Sequence, residues 1–341
     1  MDYKVRKHLS SIEFFNMISD LNGICVMGRQ ILLDFSDVKS IDGNVVPNLI
    51  LMGKWIESRT SVIPVIRMGR DFQAGYLKKY LDGIGFYRFT YGIYLYEDEY
   101  DKYGGYIGKD MDKKNGTLFF QYPRLTIKEA KTHGERRSIL LRECEYAKKD
   151  IFRNVIPFLE NYIRKNHTSC IGDTIDRIAD IIAQMVSNSI MWGESDVYVT
   201  IQANHKRNQI LLSASDSGIG MKSGIENRMK ENTDRMDGYY YFDKYKCNYS
   251  EVEAIIQSIY YRKNSSVYGV YNVLKDILHM KGIMRIHSNT KQLILTENTK
   301  AYFLNEKLED HLTEYNTRNT EMFPGVHYEI YIPMVIKDEG Y

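Results

Sequence analysis

Residues 182–221, IAQMVSNSIMWGESDVYVTIQANHKRNQILLSASDSGIGM, constrain the fold of this chain more than any other stretch. Ile182, Met185, Val186 and Ile190 recur at helical spacing and predict one apolar helix face, ended by the turn Trp192-Gly193-Glu194. Two apolar runs follow, 196–203 and 209–214, and read as strands joined by the basic turn His205-Lys206-Arg207. The second runs into the glycine-rich turn Asp216-Ser217-Gly218-Ile219-Gly220. Two polar residues depart from a simple core pattern. Asn188 lies on the helix close to its apolar face, and Asp216 comes where a buried-looking strand ends.

A carboxylate at a strand end can accept a hydrogen bond from a ligand amino group, and Gly218 and Gly220 allow a close backbone approach to that ligand. An asparagine carbonyl is a hard oxygen ligand suited to magnesium bridging phosphates. Taken singly, each is also what an ordinary helix or turn contains. In this order they resemble the Bergerat (GHKL) ATP-binding fold of DNA gyrase, MutL, sensor histidine kinases and anti-sigma-factor serine kinases. That family has an asparagine on a helix, two strands, and then D-x-G-x-G. The resemblance implies ATP and Mg²⁺ as cofactors, Asn188 as metal ligand, and nucleotide contacts at Asp216, Gly218, Gly220 and Met221. Trp192, four residues after Asn188, takes a place where histidine kinases set a tyrosine against the base; a core tryptophan is the other reading.

Further on, KNSSVYGVYNVLKDILHMKGIMRIHSN is similar to the family's second glycine box, its helix and the strand after it. Gly269 stands at a box glycine between Tyr268 and Val270, whereas Val267 replaces an earlier one, so this phosphate loop is degenerate. Val270, Val273, Leu274, Ile277 and Leu278 keep one helix face, and Gly282 opens the strand. The stretch 323–333 resembles the closing strand ending in proline, with Val326 where a threonine is usual. Between the boxes, 222–250 is a polar insertion, either a mobile lid or a plain surface loop, followed by a helix at 251–262. A further helix is expected at 135–164, with Ile139, Leu140, Cys144, Phe152, Val155, Ile156 and Leu159 as its buried positions. His133 at its start departs from a phosphoacceptor box because Gly134, not an acid, follows.

The N-terminal part alternates strand and helix: helix 12–21, strand 30–35, helix 45–58 with Pro47 in its first turn, strand 62–68 and a helical pattern over 71–86. It looks like the STAS domain of anti-sigma-factor antagonists, with Asp34-Phe35-Ser36-Asp37-Val38-Lys39-Ser40-Ile41-Asp42-Gly43 matching the segment before that family's helix. Gly43 stands where the phosphorylatable hydroxyl would be, so that switch should be absent. The expected class is α/β (α+β). A STAS-like βαβα layer (1–90) and a linker (91–133) with a strand candidate at 117–122 precede a Bergerat sandwich (134–341), with helices on one face of a mixed, mostly antiparallel sheet.

A chain of 341 residues with 43% hydrophobic content can build two cores. Lys+Arg 46 against Asp+Glu 44 gives no electrostatic footprint of a nucleic-acid binder. No apolar run reaches the ~18 residues that span a bilayer, and MDYKVRKHLSS lacks a signal-peptide core, which predicts the cytoplasm. Cys25, Cys144, Cys170 and Cys247 make no C-x-x-C pair and read as buried free thiols. For function, the leading expectation is a nucleotide-binding regulatory switch, in which an adenine nucleotide orders a lid and controls contacts with a protein partner. An anti-sigma-type protein kinase and a slow MutL-like ATPase acting through a homodimer are the alternatives. No catalytic residue is assigned, because Gln184 occupies the position of the family's general-base glutamate and a neutral amide cannot take a proton.

Overall fold

The computed structural model describes residues 1–69, 77–81, 84, 86, 97–98, 116–122, 133–166, 168–170, 175–193, 195–204, 207–231, 248–261, 263–264, 268–313 and 316–336. The chain divides into two compact units, Met1–Phe119 with Thr200–Gln202, and Phe120–Val199 with Ala203–Tyr341. Among the described residues no helix is long and apolar enough to cross a membrane.

In the first unit, strand β1 (Asp2–Lys4) and the short β2 (His8–Leu9) precede helix α1 (Ser11–Asn22). Ser10 caps that helix by accepting the Glu13 N–H, and Phe14, Met17, Ile18 and Leu21 bury its apolar face. Strand β3 (Leu32–Asp34) and the two-residue β4 (Ser40–Ile41) lead through a 3-10 turn at Gly43–Val45 into helix α2 (Val46–Thr60), which has Pro47 in its first turn. Strands β5 (Val65–Arg67) and β6 (Glu97–Asp98) complete a parallel sheet in the order β1-β3-β5-β6.

Two strands of this sheet escape the periodicity reading. β1 is only three residues and mostly exposed, and β6 has two residues inside the segment read as linker. Strands this short carry too little alternation to stand out; only their parallel pairing defines them. Of the helical pattern expected over 71–86, residues 77–81 are helical, with Leu77 and Leu81 buried, while 71–76 and Gly85 lie outside the described residues.

The second unit is built on a larger sheet. Its edge strand β7 (Thr117–Tyr122) enters this unit at Phe120, and helix α3 (His133–Lys165), strand β8 (Thr168–Cys170) and helix α4 (Ile175–Asn188) follow. After α4 a π-helical turn, Ser189–Gly193, leads into β9 (Val197–Asn204) and β10 (Gln209–Asp216). Helices α5 (Gly220–Glu231), α6 (Glu251–Tyr260) and α7 (Val270–His279) come next. Strands β11 (Ile283–Ser288) and β12 (Lys291–Leu295), the short helix α8 (Lys300–Leu304), and strands β13 (Thr317–Asn319) and β14 (Val326–Ile336) end the fold. The sheet order is β13-β12-β11-β14-β10-β9-β7, with β8 on the far end of β14. The pairings β10–β14, β11–β14, β11–β12, β12–β13 and β8–β14 are antiparallel.

Several expectations change here. Residues 222–231, the start of the expected insertion, belong to helix α5, which buries Met221 and Ile225; 232–247 lie outside the described residues. In α3 the buried stripe is Ala147, Ile151, Val155, Phe158 and Leu159. Ile139, Leu140, Cys144, Phe152 and Ile156 are only half-buried, because one stripe of this 33-residue helix faces α4. The last strand does not end at Pro333 but continues to Ile336. Pro333 is opposite Gln209, and the Met334 N–H donates to the Asn208 carbonyl at 2.7 Å, which makes Pro333 a position whose own N–H would point away from β10. It would point toward β11, whose pairing has already ended at Ile283 opposite Tyr331, so the missing donor removes no ladder bond.

Candidate functional site

A cavity open to solvent lies where the end of α4, the π turn, the end of β10, the starts of α5 and α7 and the start of β14 converge. It lies within the second unit. Gln184, Asn188, Trp192, Asp216, Gly220, Met221 and Gly269 all line it.

Asp216 is its chemical anchor, fully buried at the last residue of β10. Its Oδ1 accepts the Gly218 N–H at 2.9 Å and the Val326 N–H at 3.2 Å, and its Oδ2 accepts the Ser189 hydroxyl at 2.6 Å. A carboxylate accepts about four donors, so one acceptor position remains, on Oδ2. Burial pushes this carboxyl above its ordinary range, while the Ser189, Gly218 and Val326 donors pull it back.

The backbone around it tolerates no side chains. A Cβ on Gly218 would come within 1.9 Å of the Gly193 carbonyl oxygen, and one on Gly325, at φ +103°, within 1.9 Å of the Asp216 carbonyl oxygen. Gly218 therefore does not line the cavity; its missing side chain lets the π turn close against the strand end. Gly220, at φ +77°, starts α5, and the Met221 N–H is taken by Ser288 Oγ at 3.0 Å.

The end of α4 is less saturated. Gln184 Nε2 donates to Asn188 Oδ1 at 3.0 Å, so one of the two acceptor positions of the carbonyl oxygen expected to ligate a metal is taken by a neighbouring amide. Asn188 Nδ2 is buried without a hydrogen-bond partner, and so is Ser258 Oγ on α6; both residues line the cavity. Trp192 lies not one α-helical turn beyond Asn188 but in the wider π turn, which re-aims the residues after the helix. Gly269 is the N-cap of α7 with no side chain capping it. Tyr268 beside it gives its hydroxyl to Asp276 at 2.6 Å, and Asp276 pairs with Arg177 at 2.9 Å.

Sequence reasoning missed Ser189, Gly193, Gly224, Ser258, Tyr261 and Tyr328 as cavity residues. The alternation along β14 carried a signal for Tyr328, which shares a face with Ile330 and Ile332. Nothing local marks the others. Val326, read as a lost hydroxyl, contributes its N–H to Asp216. His133 opens α3 and Gly43 opens the first unit's 3-10 turn; neither lines the cavity. Cys144 is half-buried, its thiol pushed up to about 11 by burial, and donates to the Ser187 carbonyl. Cys25 is half-buried too, while Cys247 lies outside the described residues.

No protein-family model, curated protein or solved structure matches this chain. The site's chemistry therefore has to be argued from its own groups. A fully buried carboxylate with one open acceptor position fixes a donor on a ligand, four aromatic rings (Trp192, Tyr261, Tyr268 and Tyr328) offer flat apolar walls, and the N-termini of α5 and α7 offer positive partial charge. Among the described lining residues none is Lys, Arg or His, and among the described residues no three His, Cys, Asp or Glu side chains come together to hold a metal ion.

Proposed function

We propose that residues 134–341 form a Bergerat-type (GHKL) domain that binds an adenine nucleotide in this cavity, and that the protein is a nucleotide-binding regulatory switch controlling contacts with a protein partner. The observation that carries the reading is Asp216: a buried carboxylate with an open acceptor position, facing a cavity walled by aromatic rings, matches a flat heterocycle bearing an exocyclic amino group. Two helix N-termini beside it suit the phosphates. Binding rather than turnover is favoured, because Gln184 is a neutral amide already committed to Asn188 and cannot take a proton from water.

For the first unit the proposal is a STAS-like layer. It is supported by the parallel strands β3 and β5 on either side of α2, and by the turn in which the Ser36 N–H donates to Asp34 Oδ1 at 2.9 Å. With glycine at 43 this layer would not be switched by phosphorylation at that position.

Calorimetric titration with ATP and with ADP tests the reading. Wild type should bind, and Asp216→Ala should lose about 1.5–3 kcal/mol of binding, the usual worth of a hydrogen bond to a charged group. Equal binding by Asp216→Ala, with the fold verified by circular dichroism, would remove Asp216 and with it the proposed pocket.

A further inference from the structure

Resting on that reading, we infer that this site takes its nucleotide without a divalent cation, and that Asn188 contacts a phosphate oxygen directly as a hydrogen-bond donor instead of ligating magnesium. The two side-chain amides of Gln184 and Asn188 lie one helical turn apart on α4 and form a single hydrogen bond, Nε2 to Oδ1 at 3.0 Å. Each amide offers one acceptor oxygen and one donor nitrogen. Asn188 lines the cavity, its oxygen accepts from Gln184, and its Nδ2 is buried and unpartnered. A buried NH₂ without an acceptor is costly, and a phosphate oxygen would satisfy it through a short charge-assisted bond. A cation cannot satisfy this donor.

The rest of the cavity agrees. Magnesium favours carboxylate oxygens along with phosphates. Asp216, the acid among the described lining residues, already accepts three donors and keeps one position for the ligand. The anion is better matched by the uncapped N-terminus of α7 at Gly269 and Val270, which needs no metal to attract phosphate.

Residue 184 sets this polarity. A glutamine can donate to Asn188 Oδ1, whereas an ionised glutamate at 184 can only accept. Gln184→Glu would draw Asn188 Nδ2 toward itself, turn Oδ1 to the cavity and add a negative charge beside it. The substitution should convert a cation-independent site into a cation-dependent one.

The experiment is a calorimetric titration of the full chain with ADP, in EDTA and in excess magnesium, for wild type, Asn188→Ala and Gln184→Glu. Wild-type affinity should be the same in both conditions within about threefold, and Asn188→Ala should weaken binding roughly tenfold or more in both. Gln184→Glu should bind weakly in EDTA and recover in magnesium. Wild-type binding strengthened tenfold or more by magnesium, with Asn188→Ala losing affinity in magnesium but not in EDTA, would overturn the inference and leave the nucleotide reading standing. Absence of ADP and ATP binding by folded wild type in either condition would instead sink the nucleotide reading itself. If Asn188→Ala does not fold, the contrast between wild type and Gln184→Glu decides alone: a Gln184→Glu protein indifferent to magnesium counts against the role given to residue 184.

Discussion

Two side chains facing the same cavity are held in opposite ways. Asp216 is locked: three donors converge on its carboxylate, and glycines at 193, 218 and 325 let the backbone close around it. Asn188 has one partner, a flexible glutamine on its own helix, and keeps an orphaned N–H group. A group held by three donors in a rigid shell, with one acceptor position left, selects one ligand geometry but cannot adapt. A half-satisfied group keeps its bonding capacity for whatever enters, and its polarity can be reversed by one neighbour. Under the proposed function, recognition falls to the strand end and adjustability to the helix end.

The strongest test of that rigidity is Gly325→Ala. A methyl group there would lie 1.9 Å from the Asp216 carbonyl oxygen at φ +103°, so either the strand start or the Asp216 turn must move. The expected loss is about 3–5 kcal/mol of stability, the range of severe backbone and packing lesions, read from the urea midpoint. Gly224→Ala on α5, where a Cβ meets nothing within 4 Å, serves as the control and should change little. A mild Gly325→Ala phenotype would show the corner to be compliant and erase the contrast with Asn188.

A smaller effect is expected from pH. Burial raises the Asp216 carboxyl above its ordinary 3.8, so between that value and the folded-state value the native protein holds the proton more tightly than the unfolded chain does. The contribution to stability is therefore fully present below the unfolded value and is lost as pH rises through the folded one. Ligand binding runs the other way, since only the ionised carboxylate keeps its full acceptor capacity, and ADP affinity should fall as pH drops through the raised value. Ser189 favours the ionised form through its hydroxyl, so Ser189→Ala should move that fall to higher pH and weaken binding by about 1 kcal/mol. Titrations over a pH series check both; a flat profile in wild type would mean that Asp216 does not meet the ligand.

The least perturbing measurement is optical. With Trp55 replaced by Phe, saturating ADP should shift or quench Trp192 emission, because Trp192 belongs to the π turn bordering the cavity. An unchanged spectrum would leave Trp192 as a wall of the fold and confine recognition to Asp216 and its neighbours.

Much of this site can be read along the chain because its parts follow one another locally. The apolar spacing of Ile182, Met185 and Val186 predicts α4, and the apolar run after Asn208 predicts β10 up to the glycine turn at Asp216. Those patterns record which side of each element meets water, a property set by nearest neighbours. Strands β12 and β13 and the three-residue β8 are not legible. Each is short, and each is defined by its partner: Lys291–Leu293 by β13, Thr168–Cys170 by the last residues of β14. The helix over 220–231 was hidden for a related reason, since its polar composition gives no clear stripe and its start depends on the left-handed backbone at Gly220.

The sequence by itself determined α1 to α4, α6 and α7, the central strands and the presence of an acid followed by glycines. It carried no record that Val326, 110 residues away, donates to Asp216, that Ser189 points its hydroxyl at the same carboxylate, or that Gln184 claims the oxygen of Asn188. The first two contacts follow from the register of β10 against β14 and from the widened π turn; the third lies within α4, where the spacing permits it and the packed helix selects it. A register is chosen by the summed burial and ladder bonds of two whole strands, so it is a property of the assembled sheet, not of any residue in it.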